Sequence, residues 1–134
     1  VLADSYALYL KTQNYHWHVK GPQFASLHGL FEGHYTELAA AIDEIAERII
    51  TLGEKAPATF SELTSLSTIK EGDSNLSAND MLKDLIDSHT ILLANLTKAL
   101  DTAGENNDAG SEGLLGDRIA SHQKALWMLK ASLA

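Results

Sequence analysis

The chain has 134 residues, 45% of them hydrophobic, with two prolines, no cysteine, and eighteen acids against ten bases for a net charge of −8. That length suits one buried domain spanning residues 1–134, and the missing cysteines exclude disulfides and thiolate metal sites. The acidic balance favours cations and opposes a polyanion such as DNA. No apolar run approaches the roughly 18 residues of a membrane span and no charged-then-apolar leader is visible, so a cytoplasmic setting, nucleoid-associated or free, is expected.

Helical periodicity organises the chain. From Val1 to about Lys20, the residues Leu2, Tyr6, Leu10 and Trp17 keep helical spacing, and Gly21-Pro22 then punctuates the segment. A second helix is expected from about Phe24 to Leu52, with Leu27, Leu30, Phe31, Leu38, Ile42, Ile45, Ile49 and Leu52 on one stripe before Gly53. Between about Glu54 and Asn75 the pattern weakens. There Phe60, Leu63 and Leu66 support only a short helix after Pro57. Ser77, three residues before Asp80, starts a third long helix carrying Leu82, Leu85, Ile86, Leu93, Leu96 and Leu100, which Gly104 closes. After the polar loop Glu105 to Gly113, a last helix carries Leu115, Ile119, His122, Leu126, Leu129 and Leu133. The expected fold is all-α: a ferritin-like four-helix bundle with a short extra helix in the crossover between the second and third long helices.

The second helix also carries chemistry. His28, Glu32, Asp43 and Glu47 fall within about 100° of arc, facing away from the apolar stripe. Glu32 and Asp43 are eleven residues apart, roughly 16 Å along the axis, so the two pairs cannot share a metal whose bonds run about 2 Å. A second copy of the helix, antiparallel about a two-fold axis, places residue i opposite residue 75 − i. His28 then faces Glu47 while Glu32 faces Asp43. Small residues Ala25, Gly29, Ala39 and Ala46 on the same face permit close approach, at a shallow crossing angle nearer 20° than 50°. His16, near the end of the first helix, reaches the same site from the side.

Taken singly, acids on an outward helix face are solvated. His34, His89 and His122 lie on core faces, where hydrogen-bonded core is the ordinary role, His18 faces elsewhere, and Trp17 and Trp127 are by default packing residues. Imidazole with carboxylate and no sulfur suits iron, manganese or zinc, and iron is the expected metal. No Glu-x-x-His occurs, which argues against a di-iron site inside one bundle. No His-Glu-x-x-His, Gly-rich phosphate loop or Gly-x-Ser-x-Gly elbow appears either.

The run His16-Trp17-His18-Val19-Lys20-Gly21-Pro22-Gln23-Phe24, then Leu27-His28, Glu32 and Ile42-Asp43-Glu44-Ile45-Ala46-Glu47-Arg48, resembles the Dps family, the DNA-binding proteins from starved cells or miniferritins. The similarity extends through Asp117-Arg118-Ile119 and His122 to Trp127-Met128-Leu129. The resemblance implies a hollow shell of twelve subunits and a ferroxidase site at the two-fold interface. His16, His28 and the acid at position 32 come from one subunit, Asp43 and Glu47 from the other. Position 32 is commonly Asp in the family and is Glu here, one methylene longer.

The implied function is iron storage with peroxide detoxification: two ferrous ions per site pass electrons to hydrogen peroxide, and ferric mineral collects in the cavity. Trp17, beside His16, is a candidate to absorb a stray oxidising equivalent. Asp108, Glu112 and Asp117 are candidates for a pore through which iron enters, against the ordinary role of acids at a helix start. The alternatives are a nucleoid-binding DNA-protection protein with secondary iron chemistry, disfavoured by the charge and by the lack of a basic tail in these residues, and a structural oligomer with incidental zinc affinity.

Overall fold

The computed structural model describes residues 1–134 and consists of five helices. They are α1 (Leu2–His18), α2 (Phe24–Thr51), α3 (Phe60–Leu66), α4 (Ala78–Glu105) and α5 (Ala109–Ala131). Side-chain pairs fix their directions. Tyr9 meets Tyr35 and His16 meets His28 across α1 and α2, Asp4 meets Asn95 and Lys11 meets Ser88 across α1 and α4, and Glu37 meets Arg118 and Arg48 meets Asp108 across α2 and α5. Low numbers meet high ones each time, so neighbouring helices are antiparallel and the diagonal pair α2 and α4 runs parallel. A parallel successor must start at the far end of the bundle. The connection from α2 to α4 therefore travels the bundle's length, about 42 Å for a 28-residue helix, and α3 lies within that crossover.

The core is a line of Leu8, Leu27, Phe31, Leu38, Met81, Leu82, Leu85, Leu92, Leu96 and Leu129, each almost fully buried. On α2 and α4 the buried side is the apolar stripe expected from periodicity, except that Leu52 is 55% exposed and Leu92, outside the expected stripe, is fully buried. On α1 it is not. Tyr6, Leu10 and Trp17 are 42%, 56% and 60% exposed, while Asp4, Ser5, Lys11, Thr12 and His16 point inward. Trp127, expected in the core, is 65% exposed.

Each buried polar group on α1 has a partner, which is what makes its burial tolerable. Asp4 accepts from the Thr68 amide at 2.6 Å, the Thr68 hydroxyl at 3.0 Å and Asn95 Nδ2 at 2.8 Å, tying α1 to the crossover and to α4. Burial alone would raise its carboxyl, but these hydrogen bonds hold it below the usual carboxylate range. Lys11 Nζ donates to Ser88 Oγ at 2.9 Å and pairs with Asp84 at 3.2 Å, and the Tyr15 hydroxyl donates to Asp84 at 2.5 Å. Burial pulls the Lys11 ammonium down, opposed by Asp84; burial and the Asp84 hydrogen bond push the Tyr15 phenol up.

One helix start and one helix end differ from expectation for a local reason. Asp108 accepts from the Ser111 amide at 3.1 Å, so it caps α5, which begins at Ala109 rather than near Leu115. α4 runs through Gly104 to Glu105, and the chain then turns at Asn107, whose φ of 54° is a left-handed conformation that asparagine tolerates.

Where α2, α4 and α5 meet, three histidines gather. The Arg118 guanidinium, 5% exposed, pairs with both Glu37 oxygens and donates Nη2–H to His122 Nε2 at 3.0 Å. Arginine only donates, so His122 carries its proton on Nδ1 and donates it to His89 Nδ1 at 3.0 Å. Neutral His89 must then hold its own proton on Nε2. His34, facing His89 at 6.3 Å between ring centres, has both nitrogens buried without a partner, so the hydrogen-bonded core role expected of it holds for His89 and His122 alone.

Two expectations follow. Asp4→Ala removes the acceptor of four donors, Ser67 Oγ among them, and costs about 3 kcal/mol in urea unfolding, with Ser5→Ala as a milder control. Burial, and then the Arg118 charge, holds His122 down at about 3, and burial holds His89 well below the ordinary imidazole range. These groups sit below their unfolded value of about 6.5, so the unfolded chain takes up protons first as the pH falls. Their contribution is intact above about pH 6.5 and is lost progressively toward about pH 3. Thermal midpoints measured against pH fall less steeply in His122→Gln, whose amide accepts from Arg118 without taking a proton.

Candidate metal centre

α1 and α2 are joined by Val19 to Gln23, where Gly21 adopts φ +111°, a left-handed conformation suited to glycine. The reversal lays the end of α1 against the start of α2. There the two histidine rings stack at 3.8 Å between centres and 15° between planes. His16 Nδ1 donates to the His28 carbonyl at 2.7 Å, and His28 Nδ1 donates to the His16 carbonyl at 2.8 Å. The His16 carbonyl belongs to the last turn of α1 and has no helical partner, so the fold itself calls for a donor there. Both Nδ1 atoms carry hydrogen, and both Nε2 atoms therefore keep a lone pair. This is how proteins prepare imidazole for a metal: the second nitrogen is fixed by a backbone acceptor.

Glu32, Asp43 and Glu47 stand exposed on the same outward side of α2, with His28 half-buried and His16 buried at its edge. The chain's ion pairs use Asp84, Asp108 and Glu37 and leave these three acids free. Within one chain no group of three histidine or carboxylate side chains is placed to hold a metal ion, the buried histidine cluster included, and helix rise keeps Glu32 and Asp43 roughly 16 Å apart. Beside Asp43 lies an apolar groove of about 540 Å³, lined by Leu2, Tyr6, Ile42, Ala46, Pro57 and Phe60 among others. An exposed apolar groove with a carboxylate at its rim is a surface shaped to be covered.

A ferritin-like domain model matches residues 1–134. The chain is 39% identical over 132 residues to DNA protection during starvation protein 2 of Bacillus anthracis, covering 98% of this chain and 90% of that protein. An uncharacterized low temperature-induced protein of Nostoc is 41% identical over 132 residues, covering 97% and 74%. Among solved structures, the Dps protein of Vibrio cholerae, described as a member of a broad superfamily of ferritin-like diiron-carboxylate proteins, superposes with a TM-score of 0.93 at 38% identity, covering 97% and 82%. The chain belongs to the Dps family.

Several features of this Dps chain escaped the sequence reading. The mutual histidine clamp was not visible from spacing, although Tyr35, whose ring meets His16 edge-on at 5.2 Å, lies two helical turns beyond His28 and was within reach of the same periodicity. Trp17 is a surface residue, not a packing one. Of the candidate pore acids, Asp108 is already engaged. Its carboxylate accepts from Ser111 Oγ at 2.5 Å and from Arg48 Nη2 at 2.8 Å. The Ser111 bonds first, and Arg48 after them, hold it below the usual carboxylate range. Glu112 is half-buried and Asp117 exposed, and neither joins an ion pair.

Arg48 follows Glu47 directly, so its tie to α5 helps set the rotation of α2 at the acidic end of the site. A Cβ at Gly110 would lie 2.6 Å from Arg48 Nη2. Gly110→Ala displaces the guanidinium and weakens its pair with Asp108, an effect that the helix preference for alanine partly offsets, for a net cost under about 1 kcal/mol in thermal unfolding. A wild-type midpoint for that variant would show that Arg48 moves aside freely.

Proposed function

We propose that this Dps chain is a ferroxidase and iron store whose site forms between two protomers. His16, His28 and Glu32 of one protomer face Asp43 and Glu47 of its partner, and each pairing binds two ferrous ions as substrate. Twelve subunits enclose the ferric product. The single observation that carries the reading is the reciprocal histidine clamp, which prepares two Nε2 donors at the edge of a surface whose three acids have no partner within the chain.

Neutral imidazole holds a ferrous ion without overstabilising it, and carboxylates compensate the charge gained on oxidation. Hydrogen peroxide is the proposed oxidant. Two ferrous ions supply two electrons, solvent supplies two protons, and both peroxide oxygens leave as water. Spending both electrons in one event avoids the hydroxyl radical that a single electron would release. Glu32 is one methylene longer than the family's usual aspartate and reaches further toward the partner. Glu112 and Asp117 are the proposed acids of a pore for incoming iron, with Asp108 bracing the start of α5 behind them. Trp17, exposed beside His16, is the proposed outlet for a stray oxidising equivalent on the adjoining surface. A net charge of −8 stands against DNA as the main partner.

Because each protomer brings different ligands, defects on opposite halves complement. Asp43→Ala/Glu47→Ala and His28→Ala/Glu32→Ala each lose rapid peroxide-driven iron oxidation while keeping the assembly size. Mixed in equal amounts and reassembled, they recover about a quarter of the wild-type sites, since each mixed two-fold pair rebuilds one of its two. Stopped-flow absorbance of ferric product reads this out. Mixtures no more active than either parent would place the site within single chains, and activity in either parent would place it elsewhere.

A further inference from the structure

Apart from the metal centre, a cavity of about 280 Å³ opens between α2 and α5 and reaches His89 on α4. Its polar lining is His34, Glu37, His89, Ser121, His122 and Lys124. Pockets for drug-sized ligands run roughly 300–1,000 Å³, so this one suits a small ion and excludes a nucleotide.

The hydrogen bonds behind the cavity all point one way. Arg118 donates to His122, His122 donates to His89, and His89 is left with an Nε2–H that no protein group accepts. Bonds in such a chain polarise one another, so the donor at its end is strengthened by the guanidinium at its start. His89 is 2% exposed, and a buried donor calls for an acceptor. His34 is not that acceptor. Its ring stands edge-on to His89 at 6.3 Å between centres, and both of its own nitrogens are buried without a partner. Lys124 joins none of the chain's ion pairs, and Ser121 adds a hydroxyl.

We propose that this cavity binds one inorganic phosphate ion, which accepts hydrogen bonds from His89 Nε2–H, a His34 ring N–H, Ser121 and Lys124. Glu37 sets the selectivity. Arg118 engages both of its oxygens and compensates its charge, yet the carboxylate remains an acceptor in the wall. Inorganic phosphate keeps an O–H to donate to it at mildly alkaline pH. Sulfate has none, and a phosphate monoester, whose second ionisation lies near about 6, has lost its own, so each meets Glu37 lone pair against lone pair. Gly33, exposed in the same wall, fits this reading. A Cβ there would meet nothing within 4 Å, so crowding does not ask for glycine in mid-α2, where it costs about 1 kcal/mol against alanine. What glycine supplies is space at the cavity.

The test is isothermal titration calorimetry of the assembled, iron-free protein with inorganic phosphate at mildly alkaline pH. A net charge of −8 discourages loose anion binding, so saturable uptake of one phosphate per chain reports a built site. Sulfate and glycerol phosphate are expected to bind at least about tenfold more weakly. His34→Phe is expected to raise the thermal midpoint, because two buried unpartnered nitrogens are gone, and to weaken phosphate about tenfold. Gly33→Leu fills the cavity and abolishes binding while the assembly size is kept. Absence of saturable phosphate binding overturns the site, as does wild-type affinity in either variant. Sulfate or glycerol phosphate binding as tightly as inorganic phosphate overturns its assignment as the ligand. Iron is absent throughout, so the outcome is independent of the iron-oxidation reading.

Discussion

The exchange of hydrogen bonds between His16 and His28 is the contact on which both fold and site depend. Each imidazole donates to the other's backbone carbonyl, and one of those carbonyls would otherwise end α1 without a partner. A donor is needed there whatever the protein does. Filling the need with histidine rather than serine or lysine leaves a second nitrogen over, held in one tautomer and one orientation. On the proposed reading the cap of a helix thereby becomes part of a ligand set. The same pair of bonds closes the α1–α2 reversal, and so sets the register in which Tyr9 meets Tyr35.

Reading the sequence for alternating polarity succeeded where the interior is oily and failed where it is not. On α2 the apolar stripe and the His/acid arc separate cleanly, because a long helix with one buried side repeats its pattern over many turns. The crossover between the second and third long helices was likewise legible, through the length of the weakly patterned link. α1 misled the reading because its inner side is built from charges and hydroxyls in mutual contact: Lys11 and Tyr15, one turn apart, meet Asp84 and Ser88, also one turn apart. That matched spacing was present in the sequence, but a search for hydrophobic periodicity passes over it. Tyr6, Leu10 and Trp17 shared a helical period and pointed outward instead.

The polar interior has a cost that the apolar core must offset. Lys11 and Arg118 are each about 95% or more buried, and each is tolerable only because a carboxylate lies against it. Such pairs add little net stability compared with a packed apolar residue, but they are directional. Arg118 fixes Glu37 near the middle of α2, about which the proposed two-fold axis would pass, and through His122 it fixes the tautomer of His89. α2 is thus held in rotation from behind by Arg118 near its centre and Arg48 near its end, with the histidine clamp at its start. Three restraints spread along one helix keep its outward side presented as a rigid unit, which a site assembled from two such helices demands.

Dividing a metal site between protomers changes its thermodynamics. A lone chain offers a ferrous ion two imidazoles and scattered hydrated acids, a weak and open arrangement. On the proposed reading the full donor set exists only after association, so iron binding and pairing of α2 helices are linked and each strengthens the other. The linkage also explains the face that the single chain leaves in water. On that reading Glu32 of one copy meets Asp43 of the other beside the apolar groove that Asp43 borders, and their repulsion opposes pairing. Divalent cations placed between them reverse its sign. On the same reading the carboxylates that oppose pairing when empty favour it across bound iron, while the apolar groove, indifferent to charge, favours pairing in both states.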